Sequence, residues 1–247
     1  MMLLFLLFRP LTSLLVLLSS SSSSQGRPCH DDSPAKSATA SPHRYIACYK
    51  PALMLCSLQS DQARSVRKAR VERSTLADFG FNEENDLHIV GRLDRNSEGL
   101  LLLTTDGQFT HTVLESRQCH KRYWALVQGD PSESALQEMR RGGLDIRGYQ
   151  TRPPVDVSRL ASPQDDDVLS SLPTAALGMD RQGTWISVVL NEGRNKQVRR
   201  MTAAAGHPTI RLVRMAIGAL SVGHMQPGEW GYIEKQEVTA IPLSDDD

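Results

Sequence analysis

A polar loop at residues 91–99 (GRLDRNSEG) places one carboxylate between two arginines, immediately before an apolar run. A neighbouring guanidinium favours the charged form of an aspartate, so we expect Asp94 to stay ionised and available as a nucleophile. A structural salt bridge of Asp94 with Arg92 or Arg95 is the simpler interpretation. Glu98 adds a second carboxylate, and a pair of carboxylates is also typical of a glycoside hydrolase. This loop is the first candidate for a catalytic site.

A second candidate is residues 191–214, which hold six basic side chains and one acidic side chain. Lys196, Arg199 and Arg200 are spaced to share one flank of a helix beside its apolar face. Arg194 comes just before that helix, where unpaired backbone N–H groups suit a phosphate. A solvated helix face would show the same charges, so the pattern alone leaves both interpretations open.

A third segment, residues 121–123 (KRY), lies at the start of a predicted strand. A tyrosine in this position is most often a core or edge residue. Tyr123 therefore indicates no chemistry by itself.

The elements that must position these segments alternate without a regular βα repeat. Capping residues around Asp130-Pro131 predict the start of one helix, with Glu133 in a capping box and Gly142 at its end. We find no glycine-rich phosphate loop. The pattern favours an α+β fold with a mixed, largely antiparallel sheet. Predicted strands are 45–49, 53–58, 100–103, 123–127, 155–160 and 185–190, and predicted helices are 108–114, 130–142 and 195–205.

The composition excludes several classes of protein. The chain has 247 residues, with 28 basic and 28 acidic side chains, and this length suits one or two domains. Zero net charge argues against a protein that binds nucleic acid over its whole surface, although a basic cleft stays possible. The four cysteines have no C-x-x-C spacing, which predicts free thiols and a reducing compartment, without a zinc site.

Residues 1–43 differ from the remainder of the chain. An apolar run interrupted by Arg9-Pro10 is followed by a serine tract, and the run is too short for a membrane span. We expect a targeting leader or a disordered extension at 1–43, followed by a catalytic domain at 44–247. The favoured destination is an organelle, plastid or mitochondrion, after cleavage, and the cytoplasm or nucleus is the alternative.

The three candidate segments, taken in order, closely resemble the RsuA-like pseudouridine synthases that modify ribosomal RNA. The resemblance spans roughly residues 45–233 and is weak between 160 and 183. The matching residues are 91–104, Lys121 with Tyr123, 192–201, 206–209, 212–214, Gly218 and 227–230.

The resemblance implies a pseudouridine synthase fold and an isomerase that needs neither metal nor organic cofactor. It assigns Asp94 as the catalytic nucleophile, Tyr123 as the residue that stacks on the target base, and Arg199 as the basic partner of Asp94. Leu212 is expected to line the pocket. RNA is the expected partner of a monomer that has no stable membrane association. The implied substrate-binding residues are Arg92, Arg194, Lys196, Arg200 and Leu212.

Two departures from the family refine this hypothesis. Little chain separates the expected leader from residue 45, so we expect an architecture closer to the branch that lacks the small N-terminal RNA-binding domain of many relatives, whose members modify large-subunit ribosomal RNA. Lys196 stands where relatives commonly have arginine, so a phosphate contact there loses the planar fork. A transfer RNA substrate, a non-catalytic RNA-binding or ribosome-assembly factor, and a glycoside hydrolase remain as alternatives.

Overall fold

The computed structural model describes residues 43–59, 73–81, 86–160 and 183–239, all within one structural unit. The predicted leader lies outside the described residues except for His43, as does most of the predicted loops at 61–73 and between 160 and 185. The domain boundary at residue 44 therefore stays a prediction. None of the helices in the described ranges has the length and apolar character that would cross a membrane.

Strands dominate the described residues, together with short helices and a 3-10 turn at Leu76–Phe79. The helices are α1 (Gly107–Glu115), α2 (Glu133–Arg141), α3 (Gln197–Ala204) and α4 (Lys235–Thr239). The strands are β1 (Tyr45–Lys50), β2 (His88–Val90), β3 (Glu98–Thr104), β4 (Lys121–Gln128), β5 (Asp145–Ile146), β6 (Tyr149–Gln150), β7 (Asp156–Arg159), β8 (Gly183–Leu190), β9 (Thr209–Ile217), β10 (Leu220–Ser221) and β11 (Trp230–Tyr232).

The main sheet has the order β11-β1-β3-β9-β4-β8-β7, and two short strands extend it, β2 beside β3 and β10 beside β9. Within the described residues, β3 and β9 form the parallel pair, and the other neighbours are antiparallel. Strands β5 and β6 form a separate hairpin. The predicted α+β class with a mixed, largely antiparallel sheet is confirmed.

Strand β3 explains why the leucine run lies at the centre of the sheet. All seven of its residues are buried, since it lies between β1 and β9. Alternate side chains point to opposite faces of a strand. Leu100 and Leu102 accordingly join one core cluster, and Leu101 and Leu103 join another. Two packed faces make β3 a rigid base for the polar loop that precedes it.

Helix α1 is extended by one residue at each end relative to the prediction, and Asp106 is its N-cap. The Asp106 carboxylate accepts hydrogen bonds from Phe109 N at 2.9 Å, Tyr45 Oη at 2.8 Å and Lys235 Nζ at 3.3 Å. Burial by itself would raise the pKa of Asp106, but these bonds outweigh burial and lower the pKa to about 2. The cap therefore ties β1 and α4 to the start of α1.

Helix α2 begins later than the sequence predicts. Its N-cap is Ser132, whose Oγ accepts from Ala135 N at 3.3 Å, so Glu133 is the first helical residue and the predicted capping box is wrong. Asp130 instead pairs with Arg159 and accepts a hydrogen bond from Thr184. The predicted end of the helix at Gly142 is confirmed.

Two further expectations need correction. Residues 53–58 form no strand, because Leu53 adopts φ +67° and the Lys50 ammonium donates to the carbonyls of Pro51 and Met54, which closes a turn directly after β1. Strand β9 was not predicted. It runs through the centre of the sheet and buries two arginines of the basic stretch, Arg211 and Arg214.

Candidate active site

A cleft of about 770 Å³ collects the three candidate segments on one side of the sheet. Residues 91–95 and 97, the start of β4 and residues 190–198 contribute to its lining. This volume lies in the range typical of small-molecule sites. Neither Arg199 nor Arg200 belongs to the lining. The predicted site residues that do line the cleft are Arg92, Asp94, Tyr123, Arg194, Lys196 and Leu212.

Asp94 lies in a turn that is anchored on both sides. Its carbonyl accepts a hydrogen bond from Ser97 N at 3.0 Å. The preceding residue, Leu93, is buried and donates its N–H to Cys56 Sγ at 3.3 Å. The Asp94 side chain itself is half-buried, and in the described part of the chain no ion pair includes it. The simple structural salt bridge is therefore not formed, and the carboxylate is available in the cleft.

Arg214 holds the other end of the polar loop at residues 91–99. Only 2% exposed, it donates from Nε to Leu100 O at 2.7 Å and from a terminal nitrogen to Gly91 O at 2.9 Å. A Cβ on Gly99, which has φ +102°, would lie 2.4 Å from Arg214 O, so glycine is required where β3 approaches β9. The basic stretch 191–214 includes Arg214, but the sequence assigned it no role in holding this loop.

Glu98 is engaged behind the cleft and does not line it. It forms a buried ion pair with Arg211, with Nε–Oε1 2.6 Å and a second contact of 3.2 Å. Tyr49 donates its hydroxyl to Glu98 Oε2 at 3.2 Å, and burial together with the Glu98 charge raises the pKa of Tyr49. The geometry therefore does not favour a hydrolase in which Glu98 and Asp94 act as paired carboxylates.

Tyr123 occupies the part of the cleft nearest the core. It lies on β4 between Val188 of β8 and Arg214 of β9, half-buried, and packs against two core clusters. Lys121, two residues earlier, is buried and donates to Val113 O at 3.2 Å, and burial lowers its pKa. Packing against the core therefore holds the aromatic ring of Tyr123 in the lining of the cleft.

Glu192 organises the opposite wall and was not assigned a role from the sequence. Its buried carboxylate accepts from Tyr149 Oη at 2.7 Å, Arg152 N at 2.9 Å and Gln197 Nε2 at 2.7 Å. Gln197 in turn accepts from Arg194 N at 3.1 Å. Motif position alone does not reveal these bonds, because two of the partners come from a distant hairpin segment.

Helix α3 starts at Gln197 instead of the predicted residue 195, because Lys196 adopts the left-handed conformation with φ +53°. Lys196 therefore does not share a helical flank with Arg199 and Arg200. Arg199 donates to Asn96 O at 2.9 Å and to Thr209 O at 3.2 Å. Burial lowers the pKa of Arg199, and the charge of Asp94 opposes that change. Arg199 thus reaches the turn that carries Asp94 without a direct ion pair.

The cleft is strongly cationic although the chain is neutral. Its acidic lining residues are Asp94, Glu115 and Glu192, and Glu192 is fully occupied by hydrogen bonds. An excess of positive charge in a concave site attracts a polyanion. The cationic lining residues are Arg92, Arg95, Arg117, Lys121, Arg152, Arg194, Lys196 and Arg214.

Several known proteins are similar to this chain in sequence or in fold. Residues 44–204 match the family described as RNA pseudouridylate synthase. Ribosomal large subunit pseudouridine synthase E of Xanthomonas campestris is 44% identical over 166 residues, which cover 64% of this chain and 82% of that protein. The enzyme of the same name from Vibrio vulnificus is 39% identical over 159 residues, which cover 64% of this chain and 65% of that protein. A crystal structure of a pseudouridylate synthase matches with a TM-score of 0.59 and 25% identity, over 79% of this chain and 72% of that chain.

The match to the family extends over more than half of the chain and contains every catalytic residue that the resemblance assigned, Asp94, Tyr123 and Arg199. The resemblance derived from the sequence is confirmed, and so are the predicted pseudouridine synthase fold and the class of enzyme. The chain belongs to the RNA pseudouridylate synthase family of isomerases.

Proposed function

We propose that this chain converts a specific uridine of large-subunit ribosomal RNA to pseudouridine, with Asp94 as the nucleophile. The observation that carries the proposal is that the Asp94 carboxylate lies in a cationic cleft and forms no ion pair with the other residues that the structure describes. The choice of RNA is supported by the two bacterial relatives, which are both named large-subunit pseudouridine synthases.

The reaction is an isomerisation, so it needs no second substrate. The bond between N1 of uracil and C1′ of ribose breaks, the base rotates, and a bond between C5 and C1′ forms. The proton leaves C5, and N1 gains a proton. Asp94 would either bond to the sugar carbon that the base has left or remove a ribose proton to give a glycal. Both routes require an ionised carboxylate beside the sugar and a cleft that retains the free base.

The remaining residues would bind and orient the nucleotide. A base inside an RNA must be extruded before the enzyme can reach it, and Tyr123 offers the aromatic face on which it would stack. Such stacking contributes about 1–3 kcal/mol per base. Arg92, Arg194 and Lys196 line the cleft and would contact phosphates, which position RNA without reading its sequence.

Arg199 and Arg200 take different parts in this proposal. Arg199 fixes the turn through Asn96 and places a positive charge near Asp94, which supports a positioning role. Arg200 is half-buried outside the cleft lining, so we assign it to a contact with RNA beyond the target nucleotide.

Release of tritium from RNA labelled at C5 of uridine tests the proposal, because C5 loses its hydrogen when the new bond forms. The substrates are transcripts of large-subunit ribosomal RNA, small-subunit ribosomal RNA and transfer RNA. We expect release from the large-subunit transcript and a loss of at least about a hundredfold in kcat for Asp94→Asn. Asp156→Asn, an exposed aspartate on β7, is the matched control.

Each other outcome contradicts a defined part of the proposal. Normal turnover by folded Asp94→Asn would eliminate Asp94 as the nucleophile. Release from transfer RNA alone would replace the substrate. Tight binding of all three RNAs with no release would favour the non-catalytic RNA-binding or assembly factor.

We also propose that residues 1–43 direct the chain to a plastid or mitochondrion. The support is the apolar run followed by a serine-rich, acid-poor segment. The N-terminal residue of the mature protein, determined from its native source, tests this. A mature chain that still begins at Met1 would contradict cleavage.

A further inference from the structure

The β5–β6 hairpin stands apart from the main sheet and still reaches the cleft. Its two strands pair through Asp145↔Gln150 and Ile146↔Tyr149, and its base is closed by a hydrogen bond of 2.9 Å from Leu144 N to Thr151 Oγ1. Tyr149 lines the cleft, together with Arg152 just after the hairpin. This placement gives the hairpin a direct route to influence the substrate.

Tyr149 makes two contacts with the loop that precedes α3. Its hydroxyl donates to Glu192, and its ring lies under the Arg194 guanidinium, with Cζ 3.6 Å from the ring centroid. Arg194 is exposed, and within the described ranges its guanidinium makes no hydrogen bond or ion pair. The planar head is therefore held over an aromatic face while its N–H donors remain unused.

We propose that Tyr149 is a positioning residue that pre-orders Arg194 to bind a phosphate of the substrate RNA. A guanidinium presents a planar fork that matches phosphate, and stacking on an aromatic ring limits the orientations of that fork. An arginine side chain that is not stacked loses conformational entropy when it binds phosphate. The stacked side chain has lost part of that entropy before binding, so binding costs less free energy. The inference rests on the proposed function, because it assigns Arg194 to RNA.

The loop has other supports, so the role of Tyr149 can be separated from folding. Glu192 keeps its bonds to Arg152 N and Gln197 when the Tyr149 hydroxyl is removed. Tyr149→Phe retains the ring under Arg194 and loses only the bond to Glu192. Tyr149→Leu keeps apolar bulk and removes the aromatic face.

The experiment measures KM and kcat for tritium release, and the salt dependence of RNA binding. We expect Tyr149→Leu to raise KM about two- to fivefold, which is the effect of an exposed cation–π contact, with kcat unchanged. Tyr149→Phe should restore most of the lost affinity. Arg194→Ala should raise KM and flatten the salt slope by about 0.7 for one single-stranded phosphate contact. Tyr232→Leu, an exposed tyrosine away from the cleft lining, is the matched control.

The double variant decides between positioning and an independent contact. If Tyr149 acts through Arg194, Tyr149→Leu adds no further increase in KM to Arg194→Ala. Additive effects, a fall in kcat alone, or an unchanged KM in folded Tyr149→Leu would overturn the inference. If Tyr149→Leu does not fold, Arg194→Lys provides the test, because a normal KM without the planar fork would also overturn it.

A failure of the proposed function gives a different result. If the wild-type chain releases no tritium from any RNA, the same variants are compared by the Kd for a single-stranded RNA oligonucleotide. A two- to fivefold weaker Kd of Tyr149→Leu, absent in Tyr232→Leu, would still support the positioning role. An unchanged Kd would overturn it independently of catalysis.

Discussion

The buried ion pair of Glu98 with Arg211 is the interaction whose loss should be most costly to the fold. The two side chains are 7% and 10% exposed, and the Arg211 Nε–Glu98 Oε1 distance is 2.6 Å. Glu98→Gln keeps the shape of the side chain and an acceptor for the Tyr49 hydroxyl, but it leaves the guanidinium without a counter-charge. The perturbation therefore removes one buried charge and replaces one of the two oxygens that accept from Arg211 with an N–H donor.

The magnitude follows from the burial of both partners. Removing one member of a buried ion pair costs about 3–5 kcal/mol, largely because the other charge is left uncompensated. Glu98→Gln keeps one oxygen near Arg211, so we expect the lower end, about 3 kcal/mol. A domain is typically stable by about 5–15 kcal/mol, so this loss is a large fraction of the total.

Urea unfolding of Glu98→Gln, Arg211→Met and the double variant measures the coupling between the two residues. The double variant contains no unpaired charge, so its loss should be smaller than the sum of the single losses by about 2–3 kcal/mol. An unchanged m-value would show that only stability differs. A loss below 1 kcal/mol for Glu98→Gln, or strict additivity, would refute the reasoning that the pair is desolvated and coupled.

Two further predictions concern the polar loop at residues 91–99 and the cap of α1. Cys56→Ala removes the acceptor of the Leu93 N–H next to Asp94, so kcat for tritium release should fall several-fold and the free energy of unfolding should fall by about 1 kcal/mol. Cys56→Ser supplies a new acceptor and should retain most of the kcat and most of the stability. Equal losses in the two variants would contradict a role for this hydrogen bond. Asp106→Asn should lower the free energy of unfolding at pH 7 by about 2 kcal/mol, because the pKa of Asp106 is lowered to about 2 in the folded chain. A carboxylate whose pKa is lowered in the folded chain stabilises the fold at pH values above its unfolded pKa of about 4, and this stabilisation is lost as the pH falls through about 2. Urea unfolding at pH 2 should therefore show little difference between the variant and the wild type. An equal difference at pH 7 and pH 2 would contradict the assignment.

The polar loop at residues 91–99 and the strand after it could be predicted because their signals are local. A carboxylate between two arginines, followed by four leucines, indicates a polar loop that enters a buried strand, and β3 is buried along its whole length. The signal for the helix near 108–114 was also local, because the Asp106 side chain caps its start by accepting from Phe109 N. Local signals are not sufficient everywhere, because the capping pattern at Asp130 did not place the start of α2, where Ser132 is the N-cap instead.

Strand β9 could not be predicted, because its arginines break the apolar pattern and their partners are distant in sequence. Glu98 precedes Arg211 by 113 residues, and the carbonyl that Arg214 binds on Leu100 precedes it by 114. A charged side chain is buried only where the fold supplies a partner for it. The sequence does not show which distant residue will be that partner. The same reasoning explains why Tyr149, whose contact with Glu192 spans 43 residues, carried no signal.

Whether an arginine of the basic stretch is buried or exposed therefore depends on the partner that the fold supplies, and not on its position in the sequence. Arg211 and Arg214 come from the same basic stretch as Arg194, yet the first two are buried on a central strand while Arg194 keeps its guanidinium exposed on the cleft wall. A neutral chain can still contain a cationic cleft, because only three of its 28 acidic side chains line the cleft, against eight of its 28 basic side chains. Glu192 holds the loop through its hydrogen bonds to Gln197 and the hairpin segment, and Arg194 and Lys196 of that loop line the cleft.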